Sequence, residues 1–211
     1  PDLSCIYVDD VSYATAFLIN KDYTTSYVTN EAECDAIALS ALWTLDPNGT
    51  GIYRPTSTAS GDYSIASGYQ SEASGDYSTA MGLSSQASGE YSTALGPTSY
   101  ATGDFSTAMA SGGASGNYSI AMGGSASGTS STAMVGATAS GNFSTAMGQE
   151  TIASGDNSTA MGRLTTASGN GSTAMGDNNT ASGIGTIAIG NNTIASGENS
   201  TSIGNGNSAT G

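Results

Sequence analysis

From residue 59 onward, apolar and polar positions alternate in bursts of five residues that return at a near-constant interval. Each burst reads Ser-Thr-Ala-Met-Gly or a close variant, as in Ser78–Gly82 and Ser158–Gly162. Period-two alternation over so short a run predicts a strand with one face turned inward and one outward. The complete unit is Ala-Ser-Gly-x-x-Ser-x-Ala-x-Gly plus a short variable stretch. It starts at Ala59, Ala73, Ala87, Ala101, Ala114, Ala126, Ala139, Ala153, Ala167, Ala181, Ala195 and Ala209, with spacings of 14, 14, 14, 13, 12, 13 and then 14 throughout. A single unit of this length cannot bury a core, but a stack of units can share one. The expected fold class is therefore all-β: a parallel β-roll or β-solenoid of about eleven 14-residue coils over residues 59–211.

Position within the unit then decides what each row of residues can do. Ala occupies the first position and Gly the third in every unit; such small residues suit a narrow coil with two short strands and two tight corners. The ninth position carries Met81, Leu95, Met109, Met122, Met134, Met147, Met161, Met175, Ile189 and Ile203. Stacked at the usual strand spacing, these residues form an apolar stripe roughly 50 Å long. Were the stripe to fill the interior, a monomer would suffice. A coil this small has little room for both rows, so Ala and Ser inside with the stripe outside is the favoured arrangement. Outward, the stripe predicts association of chains along it.

The fourth position is mostly acidic or Asn (Asp62, Asp76, Glu90, Asp104, Asn117, Asn142, Asp156, Asn170, Glu198), which reads as a solvated corner. One oxygen per coil is thin coordination for Ca²⁺, so neither a metal site nor a cofactor is expected. The fifth position carries Tyr63, Tyr77, Tyr91, Phe105, Tyr118 and Phe143, then Asn157, Gly171, Gly185 and Asn199. These aromatics form a ladder that either packs corner on corner or offers a surface to sugars or another partner. The change of character along the stack predicts that its two ends differ in role.

Residues 1–58 have a different composition, with the single Trp43 and closely spaced Tyr7, Tyr13, Phe17, Tyr23 and Tyr27. Val11–Ile19 and Asp22–Val28 are rich in β-branched and aromatic residues around the turn Asn20-Lys21-Asp22, which predicts a hairpin. Asn30 followed by Glu33 predicts a capped helix to about Leu45, ended by Asp46-Pro47-Asn48-Gly49. The segment is thus expected to be a small α+β (ββα) domain that caps the stack or joins subunits. Cys5 and Cys34, the only cysteines, would staple it as a disulfide.

Three basic residues against 17 acidic ones give a net charge of −14, which argues against binding nucleic acid or an anionic membrane. No run approaches the ~18 apolar residues of a membrane span, so no membrane insertion is expected. The chain opens at Pro1 without a leader-like segment, which reads as a processed N-terminus. Sequons at Asn48, Asn117, Asn142, Asn157, Asn170, Asn178, Asn191 and Asn199 are possible glycosylation acceptors, although a repeat with Ser at its sixth position creates them whenever Asn falls at the fourth. With no His and no nucleophile–base constellation, the chain is not expected to be an enzyme.

The unit resembles the head repeat of trimeric autotransporter adhesins, the YadA-like head, most closely in Ala153–Gly162 and Ala195–Gly204. The resemblance covers residues 59–211 and implies a left-handed parallel β-roll, packing of three chains into a trimer, and adhesion to host or matrix surfaces. It assigns no individual binding residue. The functional expectation is a non-enzymatic extracellular or cell-surface rod, an oligomeric adhesin head with a matrix, cell-surface or glycan ligand. The alternative is a filament subunit joined end to end through the N-terminal domain.

Overall fold

The computed structural model describes residues 56–210, together with the backbone of four short strands at Cys5–Tyr7, Ser26–Val28, Thr44–Leu45 and Ile52–Tyr53. The repeats form a parallel β-solenoid in which every coil contributes one strand to each of two sheets. A broad sheet has 13 strands and a narrow sheet has 12, and both follow chain order without crossover. In the broad sheet the repeat strands run from Ile65–Ser67, through segments such as Thr79–Met81, to Thr201–Asn205. The narrow sheet is built of two-residue strands from Thr58–Ala59 to Ser208–Ala209.

Register is continuous because each unit meets its own copy. Ala80 pairs with Ala94 and Ala94 with Ala108, while Ala87 pairs with Ala101 on the other sheet. Alanines at the first and eighth positions, from Ala59 to Ala195, are essentially inaccessible and form the core. Ser at the sixth position and Ser or Thr at the thirteenth, such as Ser92 and Thr151, are buried beside them. The coil is so thin that alanine fills it, and larger side chains are turned outward. This selects the arrangement with the methionine stripe outside.

The two glycine rows have separate causes. A Cβ at third-position Gly89 would lie 2.1 Å from the carbonyl oxygen of Gly103 in the next coil, so close approach alone excludes any side chain. Tenth-position Gly82 combines a φ of 133° with a comparable clash against Gly96. In two of the shortened coils the tenth position is instead Ala110 and Val135, at φ 51° and 56°, so the corner tightens through a left-handed residue.

Upstream, Ile52–Tyr53 pairs in parallel with Ile65–Ala66, so coil-type stacking begins before the first recognisable unit. Thr44–Leu45 joins its far side antiparallel. The chain is therefore extended where the helix was expected to end, because these two residues extend the broad sheet. Ser26–Val28 pairs in parallel with Cys5–Tyr7, a partner that the expected hairpin did not supply. The remainder of that hairpin and helix, the Cys5–Cys34 pairing and Asn48 lie outside the described residues.

Candidate binding surface

Three outward rows follow from this fold. On the broad sheet the stripe is in strict register: Met81, Leu95, Met109, Met122, Met134, Met147, Met161, Met175, Ile189 and Ile203 meet strand to strand. All ten project from the outer face, half-buried against one another or exposed, with Ile203 at 59%. A flanking column of Thr or Ile, such as Thr93, Thr107 and Ile120, widens the face. No charge interrupts these two columns.

The fifth-position corner holds the aromatic ladder. Tyr63, Tyr77, Tyr91, Phe105 and Tyr118 stack with ring centroids 5.1, 4.7, 4.9 and 4.9 Å apart and with planes within 13° of parallel. Every fifth-position residue has left-handed backbone, from φ 55° at Tyr91 to 66° at Gly185. For a bulky side chain that conformation costs roughly 1–2 kcal/mol, and each stacked pair returns about 0.5–1.5 kcal/mol. Because the rings cover each other's faces, the ladder offers edges and hydroxyls along its length. Crowding between neighbouring rings, then the proximity of Tyr91, Tyr63, Asp62 and Asp76, pushes the Tyr77 hydroxyl above its ordinary value of 10.0. Phe143 does not join the stack, since Ser130 occupies the intervening coil.

The fourth-position row does more than face solvent. Asp76 Oδ1 accepts the backbone N–H of Asp62 at 2.9 Å, and Asp104 Oδ1 accepts that of Glu90 at 3.0 Å. Asn117, Asn142 and Asp156 accept the N–H groups of Asp104, Thr129 and Asn142 in the same way. These five residues act as corner caps, each tying its coil to the one before it. Sequence reasoning missed this role; the signal was the preference for Asp and Asn, whose short side chains reach a backbone amide. Among the described residues, no group of three or more His, Cys, Asp or Glu is placed to hold a metal ion.

The fold also sorts the sequons. Ser119, Ser144 and Ser172, the hydroxyl residues following Asn117, Asn142 and Asn170, are buried, and so is Thr193 after Asn191. The hydroxyls paired with Asn157, Asn178 and Asn199 sit on outward strand positions at Thr159, Thr180 and Thr201.

A two-sheeted coil with an alanine interior, glycine-packed corners and its larger apolar side chains in outward rows defines a repetitive β-roll. Residues 59–85, 87–109, 114–126, 126–151, 153–179, 167–193, 181–207 and 195–211 match the YadA head domain repeat. The chain belongs to that family. No curated protein matches it.

Proposed function

We propose that the chain is a non-catalytic adhesive rod displayed outside the cell, self-associated as a trimer through the apolar face of its broad sheet. The observation that carries this reading is the uninterrupted, in-register stripe from Met81 to Ile203 on the outer surface. A monomer that exposed so long an apolar row would associate nonspecifically, whereas shared burial removes it from water at about 25 cal/mol per Å². Membership of the head-repeat family supports three as the number of chains. Packing three stripes together leaves the corners free for ligand, which suits adhesion through the fifth-position row. The acidic surface favours neutral or cationic ligands over polyanions.

The test is Met147→Asp, which places a charge mid-stripe. Sedimentation should show wild-type rods with the mass of three chains and a variant that dissociates to monomers while keeping its β-type circular dichroism. A wild-type protein that is monomeric at every concentration would overturn the trimer. Long fibres of fixed width in electron micrographs would replace it with the end-to-end filament.

A further inference from the structure

The aromatic ladder has a missing rung. Fifth-position residues on three successive coils are Tyr118, Ser130 and Phe143, with φ values of 60°, 55° and 57°. The backbone stays in step across the gap: Ser130 N–H donates to the Asn117 carbonyl and Phe143 N–H to the Thr129 carbonyl, both at 2.8 Å. The corner is thus unbroken, and only a ring is lacking. Exposure records the loss: interior rungs Tyr77, Tyr91 and Phe105 are 45–47% exposed, whereas Tyr118 is 59% and Phe143 is 62%.

From this we infer that the gap is a binding slot for one neutral pyranose ring of a cell-surface glycan, taken up between Tyr118 and Phe143. Two coil steps span roughly 9.6 Å, so a guest at the Ser130 level stands about 4.8 Å from each neighbouring rung, within the range of ring stacking. A pyranose matches a six-membered aromatic in size and presents C–H groups on its faces, while its hydroxyls need partners around the rim. The rim supplies them. Asn117 and Asn142 use Oδ1 to cap the backbone, at 3.2 and 3.1 Å, which leaves the Nδ2 donor of each for a ligand. Thr129 and Ser130 add hydroxyls.

Charge separates this guest from the alternatives. The fourth position carries no carboxylate in these three coils, and Asp104 and Asp156 on either side are engaged through Oδ1 with backbone amides. Those carboxylates stand two coil steps, roughly 9.6 Å, from the Ser130 level, so a guanidinium would stack there without a close counter-ion. An aromatic side chain would fill the space but offer no ring of hydroxyls to the rim donors, which would stay bonded to water. The net charge of −14 disfavours uronic and sialic acids, leaving neutral hexoses and their N-acetyl forms. The inference rests on the reading of the rod as an adhesive head and names its ligand class.

The experiment titrates the full chain with methyl glycosides of glucose, galactose, mannose and N-acetylglucosamine, read by saturation-transfer NMR. The key variant is Ser130→Tyr, which should complete the ladder, keep or raise the melting temperature and weaken sugar binding at least about tenfold. Phe143→Ala opens the slot from the other side and should weaken binding without touching the stacked rings. The inference is overturned if no neutral pyranose binds the wild-type chain, or if Ser130→Tyr binds as well as wild type. It is equally overturned if arginine or tyrosine amide outcompetes every glycoside, which would indicate a protein partner. Sedimentation mass and cell adhesion are measured on the same samples. Trimeric, adherent rods without sugar binding sink the slot alone, and rods that adhere to nothing sink the adhesive reading itself.

Discussion

The two halves of the rod solve one backbone problem differently. Every coil needs a left-handed residue at its fifth position. Up to Tyr118 that residue is aromatic, and its conformational cost is offset by stacking on the rungs above and below. Beyond Phe143 it is Asn157, Gly171, Gly185 or Asn199, residues that adopt the conformation at little cost and bring no ladder. The later coils gain cohesion elsewhere. Their broad-sheet strands lengthen to five residues, as in Thr159–Arg163 and Thr173–Asp177. Arg163 pairs with Asp177 at 2.7 Å and Asn178 donates to Asn192 at 2.6 Å across coils. Inside, Asn179 replaces a serine and satisfies itself fully, donating to the Met175 and Gly190 carbonyls and accepting from Thr193 N–H and Oγ1. The contrast shows that a solenoid can vary its cross-coil glue at one corner while its core stays constant.

The largest effect tests that constancy. Gly89→Ala and Gly155→Ala each place a Cβ 2.1 Å from a carbonyl oxygen of the next coil. Neither backbone can yield without breaking register, so each should cost about 3 kcal/mol or more in thermal or denaturant unfolding. A much milder loss in one half would show that the cores are not equivalent. Exchanging the corner solutions gives a smaller, asymmetric effect. Tyr91→Asn removes two stacked pairs but relieves the left-handed strain, for a net loss of about 1 kcal/mol. The reverse change, Asn157→Tyr, creates a strained ring with only Phe143 beside it and should not stabilise. Equal and opposite shifts in melting temperature would refute the offset between strain and stacking.

The smallest effect is confined to alkaline solution. Because the folded-state value of Tyr77 is raised, its contribution is fully present below pH 10.0, the ordinary value, and is lost as pH rises through the higher folded value. Melting temperature should fall above that pH in the wild type and fall less in Tyr77→Phe. Matching curves for the two proteins would assign the alkaline loss to other groups.

Much of this molecule was legible before its structure. The period and the strand alternation of Ser-Thr-Ala-Met-Gly were enough to anticipate coils, two sheets, a glycine-cornered section and a methionine row. Identical residues recurring at one position must meet when the units stack. Single-chain periodicity is silent on what a position does to its neighbour's backbone. For that reason the fourth-position Asp and Asn row read as solvated, although Asp76 and Asp156 cap the preceding coil. Six aromatics likewise read as one ladder, yet only five stack, because a ladder is broken by one absent member and Ser130 is that member.

By itself, then, the sequence determined the repeat, its register and its family, since each follows from which residue recurs at which spacing. Which face is inside was favoured by the sequence on volume, and the tertiary structure decided it in that sense. The coil interior holds only two facing rows of alanine with serine or threonine beside them, and that volume, rather than hydrophobicity, sends Met147 outward and Ala146 inward. Likewise, only the stacked backbone showed that Ile52–Tyr53 already belongs to the sheet, because a strand is defined by the partner it pairs with and its own two residues carry no period.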